Sequence, residues 1–579
     1  MIWYFENYLR SQREREALEA LATSVDWLAP VGWRIDGDVR LIWDADISTS
    51  SRIFRISLRY PNHFPHSPPL VLPRNDNERW SSHQYGSGGE LCLEYGPDNW
   101  HPDVTGADMI ASAHRLLESE GTGSKELGAV ASRHKTTLGQ ELRFQLGRFL
   151  VTRALSEFAA GLPDAVVLPA TLVMLFRKET FTHLLASVDT SEGKKWTDAS
   201  IPDVLLYEGY ERPAALIKWP KGKPTPSTDS LASFRAGVAS VGLQLPDMKK
   251  LILVEGSSFR AYSFWDDDTV GELSVIPAQV AADRLDEGHK ALRNRKVSII
   301  GCGSLGSKVA VMMARSGVGR FLLVDDDLLL PDNFVRHDLD WRDVGTHKAD
   351  SVARGIQLVN PAASCEKRKH RLGGQESSGS VETLIESLAD SDLLVDCTAA
   401  ASVFNYLCAA VAVAKKPLLW AEVFGGGFGG MIARSRPFLK PDPATIRRII
   451  EKWCEEQGKP LRAAAADYGA TSDVPLIADD ADVTVIASHA ARMGIDMLIP
   501  RDPSAYTHSV YLIGLAKGWI FDNAFETYPI EVGPPNTTAA DAELNSDEAA
   551  AELTRIAKLL SEHEDEDSSG GTGNETSSA

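Results

Sequence analysis

The run KVSIIGCGSLGSKVAVMMARSGVGRFLLVDDD, residues 296–327, leaves this chain few folds to choose from. Val297 to Ile300 form a mainly apolar run broken only by Ser298, a glycine turn follows, then a helical pattern, then a second apolar run ending in Asp325. Strand, turn, helix, strand is the first half of a doubly wound nucleotide-binding unit. Gly301, Gly303 and Gly306 let the backbone turn tightly and approach phosphate at the N-terminus of the helix. Asp325 closes the second strand, where a carboxylate can accept hydrogen bonds from ribose hydroxyls.

The glycine turn alone does not choose among dehydrogenases, flavoproteins and methyltransferases. The next segment, DDDLLLPDNFVRHDLDWRDVGTHKADSV, does: it supplies Asp327, Asn333, Arg336 and Lys348, and Asp396 follows in LLVDCTAA. A nicotinamide site needs one acid for ribose and no cluster of cations. A triphosphate needs Arg, Lys and an acid that holds a metal. The series Asp325, Asp327, Asn333, Arg336, Lys348, Asp396 resembles the ATP site of the ThiF/MoeB/ubiquitin-activating family in residue type, order and spacing. The resemblance implies an adenylation domain that uses ATP and Mg2+. Gly301 to Gly306 would then hold the α-phosphate and Asp325 the ribose. Arg336 and Lys348 would neutralise phosphates, with Asn333 at the phosphate region and Asp396 on Mg2+. The carboxylate of an incoming C-terminal glycine would attack the α-phosphate, giving an acyl-adenylate and pyrophosphate.

At 579 residues the chain is too long for one core and suggests roughly three or four domains. A formal charge of −20 argues against nucleic acid or anionic membrane as a main partner. No run of about eighteen apolar residues marks a membrane span, and MIWYFENYLRSQRERE does not read as a signal peptide. The six cysteines (92, 302, 365, 397, 408 and 454) are dispersed without a C-x-x-C pair. That pattern suits neither a zinc knuckle nor a disulfide framework, so a cytoplasmic protein is expected.

The first 22 residues read as an amphipathic helix with Leu9, Leu18 and Leu21 in its apolar stripe, and short β-like runs follow to Tyr60. YPNHFPHSPPLVLP is too rich in proline for a central strand. Then comes SSHQYGSGGELCLEYGPDNWHPDVTGADMIASAHRLL, with Cys92 between two leucines and a helix starting near Thr105. This order (helix, β-meander, Y-P-x-x-F-P-x-x-P-P, glycine loop, Leu-Cys-Leu-Glu, Trp-x-Pro) resembles the ubiquitin-conjugating fold around its active cysteine. The resemblance assigns Cys92 to carry a modifier as a thioester and hand it to an amine. His83 matches the histidine of the family's His-Pro-Asn triplet, but Gln84 and Tyr85 replace the proline and asparagine. His101, Asp98 and Asp103 are the candidates to supply the missing electrostatic role or to deprotonate the acceptor amine.

A conjugating-type and an activating-type domain in one chain resembles the fusions of bacterial anti-phage operons of the CBASS type. The partners this implies are a ubiquitin-like protein or an operon nucleotidyltransferase with a C-terminal glycine, and target-protein lysines. A homodimer through the adenylation domain is expected from the same family. Its own thioester cysteine usually precedes a late helix. That helix reads as residues 484–499, the loop before it has no cysteine, and Cys454 is the nearest candidate. Arg284, ahead of the nucleotide strand, is a further position for an arginine that reaches ATP. Cys302, Cys397 and Cys408 read as core, and His183, Lys194, Lys195 and Trp196 as surface and packing.

The fold class expected is an α/β multidomain protein. A ubiquitin-conjugating-like α+β domain spans 1–122, a mixed α/β linker domain 137–280, and a doubly wound Rossmann-like ThiF-type adenylation domain 281–533. An acidic, largely disordered tail takes 534–579. In the linker domain one helix is expected over residues 138–159, strands over 166–177 and 203–220, and a hairpin over 249–265. Two other readings remain open: sulfur-carrier activation of the MoeB/ThiF kind, which would not need Cys92, and a nucleotide-holding scaffold without turnover.

Overall fold

A computed structural model describes residues 2–75, 80, 84–85, 88–121, 137–190, 192–278, 286–370, 372, 378–459, 478–499, 501, 503–535, 550–559 and 561. His83, Arg284, residues 460–477 and most of the acidic tail fall outside them. No helix among the described residues is long and apolar enough to cross a membrane. The chain divides into two compact units, Met1–Phe144 and Gln145–Ala579.

In the first unit, α1 (Trp3–Glu6) and α2 (Tyr8–Ser24) precede an antiparallel meander of β1 (Leu28–Ile35), β2 (Leu41–Ser48), β3 (Ile53–Arg59) and β4 (Leu70–Pro73). The two-residue strands β5 (Gln84–Tyr85) and β6 (Glu90–Leu91) pair with each other, and α3 (Gly106–Gly121) and α4 (Leu138–Leu142) follow. Leu18 of α2, Ile56 and Leu58 of β3 and Ile110 of α3 are fully buried in one core. Leu9 is a correction to the sequence reading, because it is 63% exposed and off the buried stripe.

The second unit opens with a β-rich part: β7 (Gly147–Leu150), α5 (Arg153–Ala160), β8 (Val166–Arg177), β9 (Thr180–Asp189), β10 (Lys195–Thr197), α6 (Asp203–Glu208), β11 (Tyr210–Lys218), α7 (Leu231–Ser240), β12 (Lys250–Glu255), β13 (Ser258–Phe264) and β14 (Val270–Ile276). The strands run β10-β9-β7-β14-β13-β12-β11-β8, and β8 also pairs with β9, which closes the sheet on itself. Two sequence expectations are corrected here. The helix expected over 138–159 is broken by β7, which lies parallel to both β14 and β9 and carries the fully buried Phe149 into the barrel core. The strand expected over 203–220 begins as α6 and becomes extended only at Tyr210. His183 is fully buried rather than on the surface, with Nδ1 3.3 Å from the Arg148 carbonyl oxygen.

The rest of the unit is doubly wound. Its elements are α8 (Glu287–Lys290), β15 (Lys296–Ile300), α9 (Ser304–Arg315), β16 (Arg320–Val324), α10 (Lys348–Val359), β17 (Ser364–Arg368), α11 (Ser378–Ala389), β18 (Leu393–Asp396), α12 (Ala401–Ala414), β19 (Leu418–Val423), β20 (Gly429–Ser435), α13 (Pro443–Glu456), α14 (Asp480–Leu498), β21 (Val510–Gly514) and β22 (Thr527–Ile530). The sheet order is β17-β16-β15-β18-β19-β20-β21-β22, parallel through β19 and antiparallel beyond it. Strands buried on both faces need largely apolar runs; Phe321 to Val324 is one, and in Val297 to Ile300 the one polar residue, Ser298, is buried against the Ser391 hydroxyl at 2.6 Å. Helices α9, α10 and α14 fill one face and α11, α12 and α13 the other. Strand order reverses between β15 and β18, and a crevice for ligand opens at the carboxyl ends of such a pair.

Candidate functional site

The turn after β15 forms the floor of that crevice. Gly301 has φ +85°, a conformation L side chains rarely adopt, and a Cβ there would lie 2.8 Å from Thr398 Cγ2. A Cβ on Gly306 would sit 1.8 Å from the Gly301 carbonyl oxygen, so the first turn of α9 can close on the strand only with glycine. Gly303, the residue before α9, has open space around its Cβ position. The three glycines thus do different work: backbone conformation, close packing, and access to the end of the helix.

Asp325 accepts hydrogen bonds from the Cys302 amide at 2.6 Å and the Asp327 amide at 2.9 Å, fastening the turn after β16 to the glycine turn. Burial raises its carboxyl, and those amides and Lys348 offset part of the effect. Lys348, only 8% exposed at the start of α10, is ion-paired with Asp327. Burial alone would raise Asp327, but the Lys348 ammonium outweighs it and holds the carboxyl below the usual range. Asn333 accepts the Leu330 amide at 3.0 Å and so shapes the short 3-10 turn that delivers Arg336. Asp396, 3% exposed, ends β18 and accepts both the amide (2.9 Å) and the hydroxyl (2.7 Å) of Thr398 on one oxygen; burial raises its carboxyl.

A cavity of about 180 Å³ lies between these turns, lined among others by Gly303, Asn333, Arg336 and Lys348. Four of the residues expected from the sequence therefore share one wall. Gly301, Gly306, Asp325, Asp327 and Asp396 do not line the cavity; Asp325 and Asp327 act on it through the glycine turn and Lys348, and Asp396 lies next to the lining residues Cys397 and Thr398. The sequence reading missed His337, Thr398, Glu422 and Phe424, which line the same space. His337 follows the chosen Arg336 directly. It is 7% exposed, with Nε2 3.0 Å from the Cys302 carbonyl oxygen, and burial lowers its pKa to about 4, so it is neutral.

In the first unit, Leu91 and Leu93 are buried in the core, and the half-buried Cys92 between them lines a separate cavity of about 330 Å³ with Pro69, Tyr95 and Asp98. Asn99 organises the loop beyond: it accepts the Gly96 amide at 2.8 Å and donates to the Glu94 carbonyl at 3.0 Å. The loop's far end is held by α2. Arg10 donates to the Pro102 and Val104 carbonyls, and the fully buried Glu14 accepts the Gly106 amide at 2.6 Å and the Tyr60 hydroxyl at 2.8 Å. His101 is 70% exposed beside Asp103 and does not line the Cys92 cavity.

Residues 278–436 match the ThiF family. The chain carries a ThiF domain. It is 25% identical over 386 residues to the uncharacterized protein y4qC of Sinorhizobium fredii, covering 59% of this chain and 64% of that one. It is 29% identical over 253 residues to the ATP-dependent ubiquitin transferase-like protein Cap2 of Pseudomonas aeruginosa, covering 41% of this chain and 42% of that one. A third relative, the sulfur carrier protein ThiS adenylyltransferase of Escherichia coli, is 30% identical over 147 residues, 25% of this chain and 55% of that one. Each match spans less than two thirds of the relative's length.

The crevice built from β15, β16 and β18 lies inside the ThiF domain. Cys454 lies C-terminal to the matched residues, on α13. It is fully buried among apolar side chains of the α11–α13 face, and burial pushes its thiol up to about 11. Cys454, expected from the sequence as the nearest relay candidate, thus has no solvent access and little thiolate in this structure. Cys302 and Cys397 are raised by burial in the same way.

Proposed function

We propose that the chain adenylates the C-terminal carboxylate of a small protein with ATP and captures the acyl group as a thioester on Cys92. It then transfers that group to a lysine amine, in the setting of bacterial antiviral defence. The observation that carries this reading is the convergence of Gly303, Asn333, Arg336 and Lys348 on one cavity at the reversal point of a doubly wound sheet. A glycine cradle suits phosphate oxygens, and two cations suit the charge of a triphosphate. The ThiF match and the similarity to Cap2 support adenylation; the cavity beside Cys92 and the order of α2, the meander and α3 support the thioester step.

The partner's carboxylate oxygen attacks the α-phosphorus, and pyrophosphate leaves. The Cys92 thiolate then attacks the acyl carbon and AMP leaves; finally the amine displaces the thiolate and loses a proton. Arg336 and Lys348 hold the phosphates in line, and Lys348 is released from Asp327 to do so. Asp325 keeps the glycine turn closed. Asp396, with an acceptor oxygen not engaged by Thr398, suits the hard, oxygen-seeking Mg2+, which would neutralise phosphate charge when bound.

The test combines purified protein, ATP-Mg2+ and candidate partners ending in glycine on a non-reducing gel. Wild type should give a thiol-labile adduct that Cys92→Ala and Asp396→Ala lack and Cys454→Ala keeps. The similarity to the ThiS adenylyltransferase favours sulfur-carrier activation as the second reading. Pyrophosphate release without a Cys92 adduct, using a partner that is turned over, would select it.

A further inference from the structure

We propose that Glu422 is a second carboxylate ligand, beside Asp396, for the divalent cation that accompanies the nucleotide. The inference rests on the adenylation reading. Asp396 pairs in register with Trp420 on the parallel neighbour β19. Glu422 stands two residues further along β19, beyond the end of β18 and on the face shared by Trp420 and Asp396. It lines the same cavity as Arg336, Lys348 and Thr398.

Neither carboxylate is fully used by the protein. Both bonds from Thr398 fall on one oxygen of Asp396, and Glu422 makes no side-chain hydrogen bond among the described residues. One cation acts on both: Arg447 of α13, which is also 3.3 Å from Glu451 and stacked 5.1 Å from the Phe404 ring. Two carboxylates on neighbouring strands, each with an oxygen that the protein does not engage, suit a doubly charged ion. The described residues contain no cluster of three or more metal-ligating side chains, so the ion would complete its shell with phosphate oxygens and water. One or two carboxylates plus substrate phosphates is how proteins usually hold Mg2+.

Mn2+ bound to the full-length protein, followed by electron paramagnetic resonance with a non-hydrolysable ATP analogue, tests this. Glu422→Gln should weaken Mn2+ at least roughly tenfold in the presence of the analogue. Binding of the metal-free analogue should not weaken, and Glu422→Asp should restore part of the metal affinity. Mn2+ affinity in Glu422→Gln within about twofold of wild type, with Asp396→Asn having lost it, would show that Glu422 is not a ligand. Failure of wild type to bind the analogue at all would have a different signature and would overturn the adenylation reading, and this inference with it.

Discussion

At Gly306 the sequence and the chemistry meet in a single missing methyl group. Its added Cβ would meet backbone, the carbonyl of Gly301, which cannot swing aside as a side chain can. Gly306→Ala should therefore lower stability by about 1–3 kcal/mol or more and abolish nucleotide binding. Gly303→Ala, with open space around it, should melt within about 0.5 kcal/mol of wild type while slowing ATP–pyrophosphate exchange. Equal melting temperatures for the two variants would show that the close approach at Gly306 is not real. Lys348→Ala is expected to leave folding nearly intact, because its partner Asp327 is 64% exposed and rehydrates. Exchange should nonetheless fall by roughly 10²–10³ if the ammonium stabilises phosphate charge. A fall of less than tenfold would remove Lys348 from the phosphate site.

At the scale of elements, the crevice depends on β20 and α14 staying together, and a buried ion pair joins them. Arg434 is 1% exposed and 3.0 Å from Asp496, and its other nitrogen reaches Ser504 and the Tyr506 carbonyl. Asp496→Ala leaves that guanidinium buried and unpaired, which should cost about 3–5 kcal/mol in denaturant unfolding. Burial works to raise Asp496, but Ser504, the Ala505 amide and Arg434 outweigh it and hold the carboxyl below its ordinary 3.8. Its stabilising contribution is therefore complete above that value and is lost as pH falls through the lower folded one. In acid titrations wild type should lose stability in that window, and Asp496→Ala should lose less there.

Elements defined by local pattern were legible in the sequence: the glycine turn, α9, and the hairpin of β12 and β13. Strand β7 was not, because only its neighbours β9 and β14, distant in sequence, make Gly147 to Leu150 extended. Glu422 was illegible for a related reason. A single acid in the apolar run LLWAEV has meaning only once β19 lies beside β18.

Across the whole molecule, Cys92 belongs to one compact unit and the cavity at the reversal point of the doubly wound sheet to the other, so the proposed reaction requires an acyl group to pass from one kind of unit to the other. A covalent tether gives the receiving thiol an effective concentration on the order of millimolar, against micromolar for a thiol on a free chain. Transfer should therefore be intramolecular, with a rate of adduct formation per chain that does not change on dilution. On the proposed reading, Asp396→Ala retains the thiol but lacks the acid assigned to the metal, while Cys92→Ala should retain adenylation and lacks the thiol. Mixed at micromolar concentration, the two should recover no more than about 1% of the wild-type rate of thiol-labile adduct. Recovery approaching half, or a wild-type rate that climbs with chain concentration, would mean that the acyl group crosses between protomers. The fusion would then serve to bring two chains together rather than to tether two sites within one.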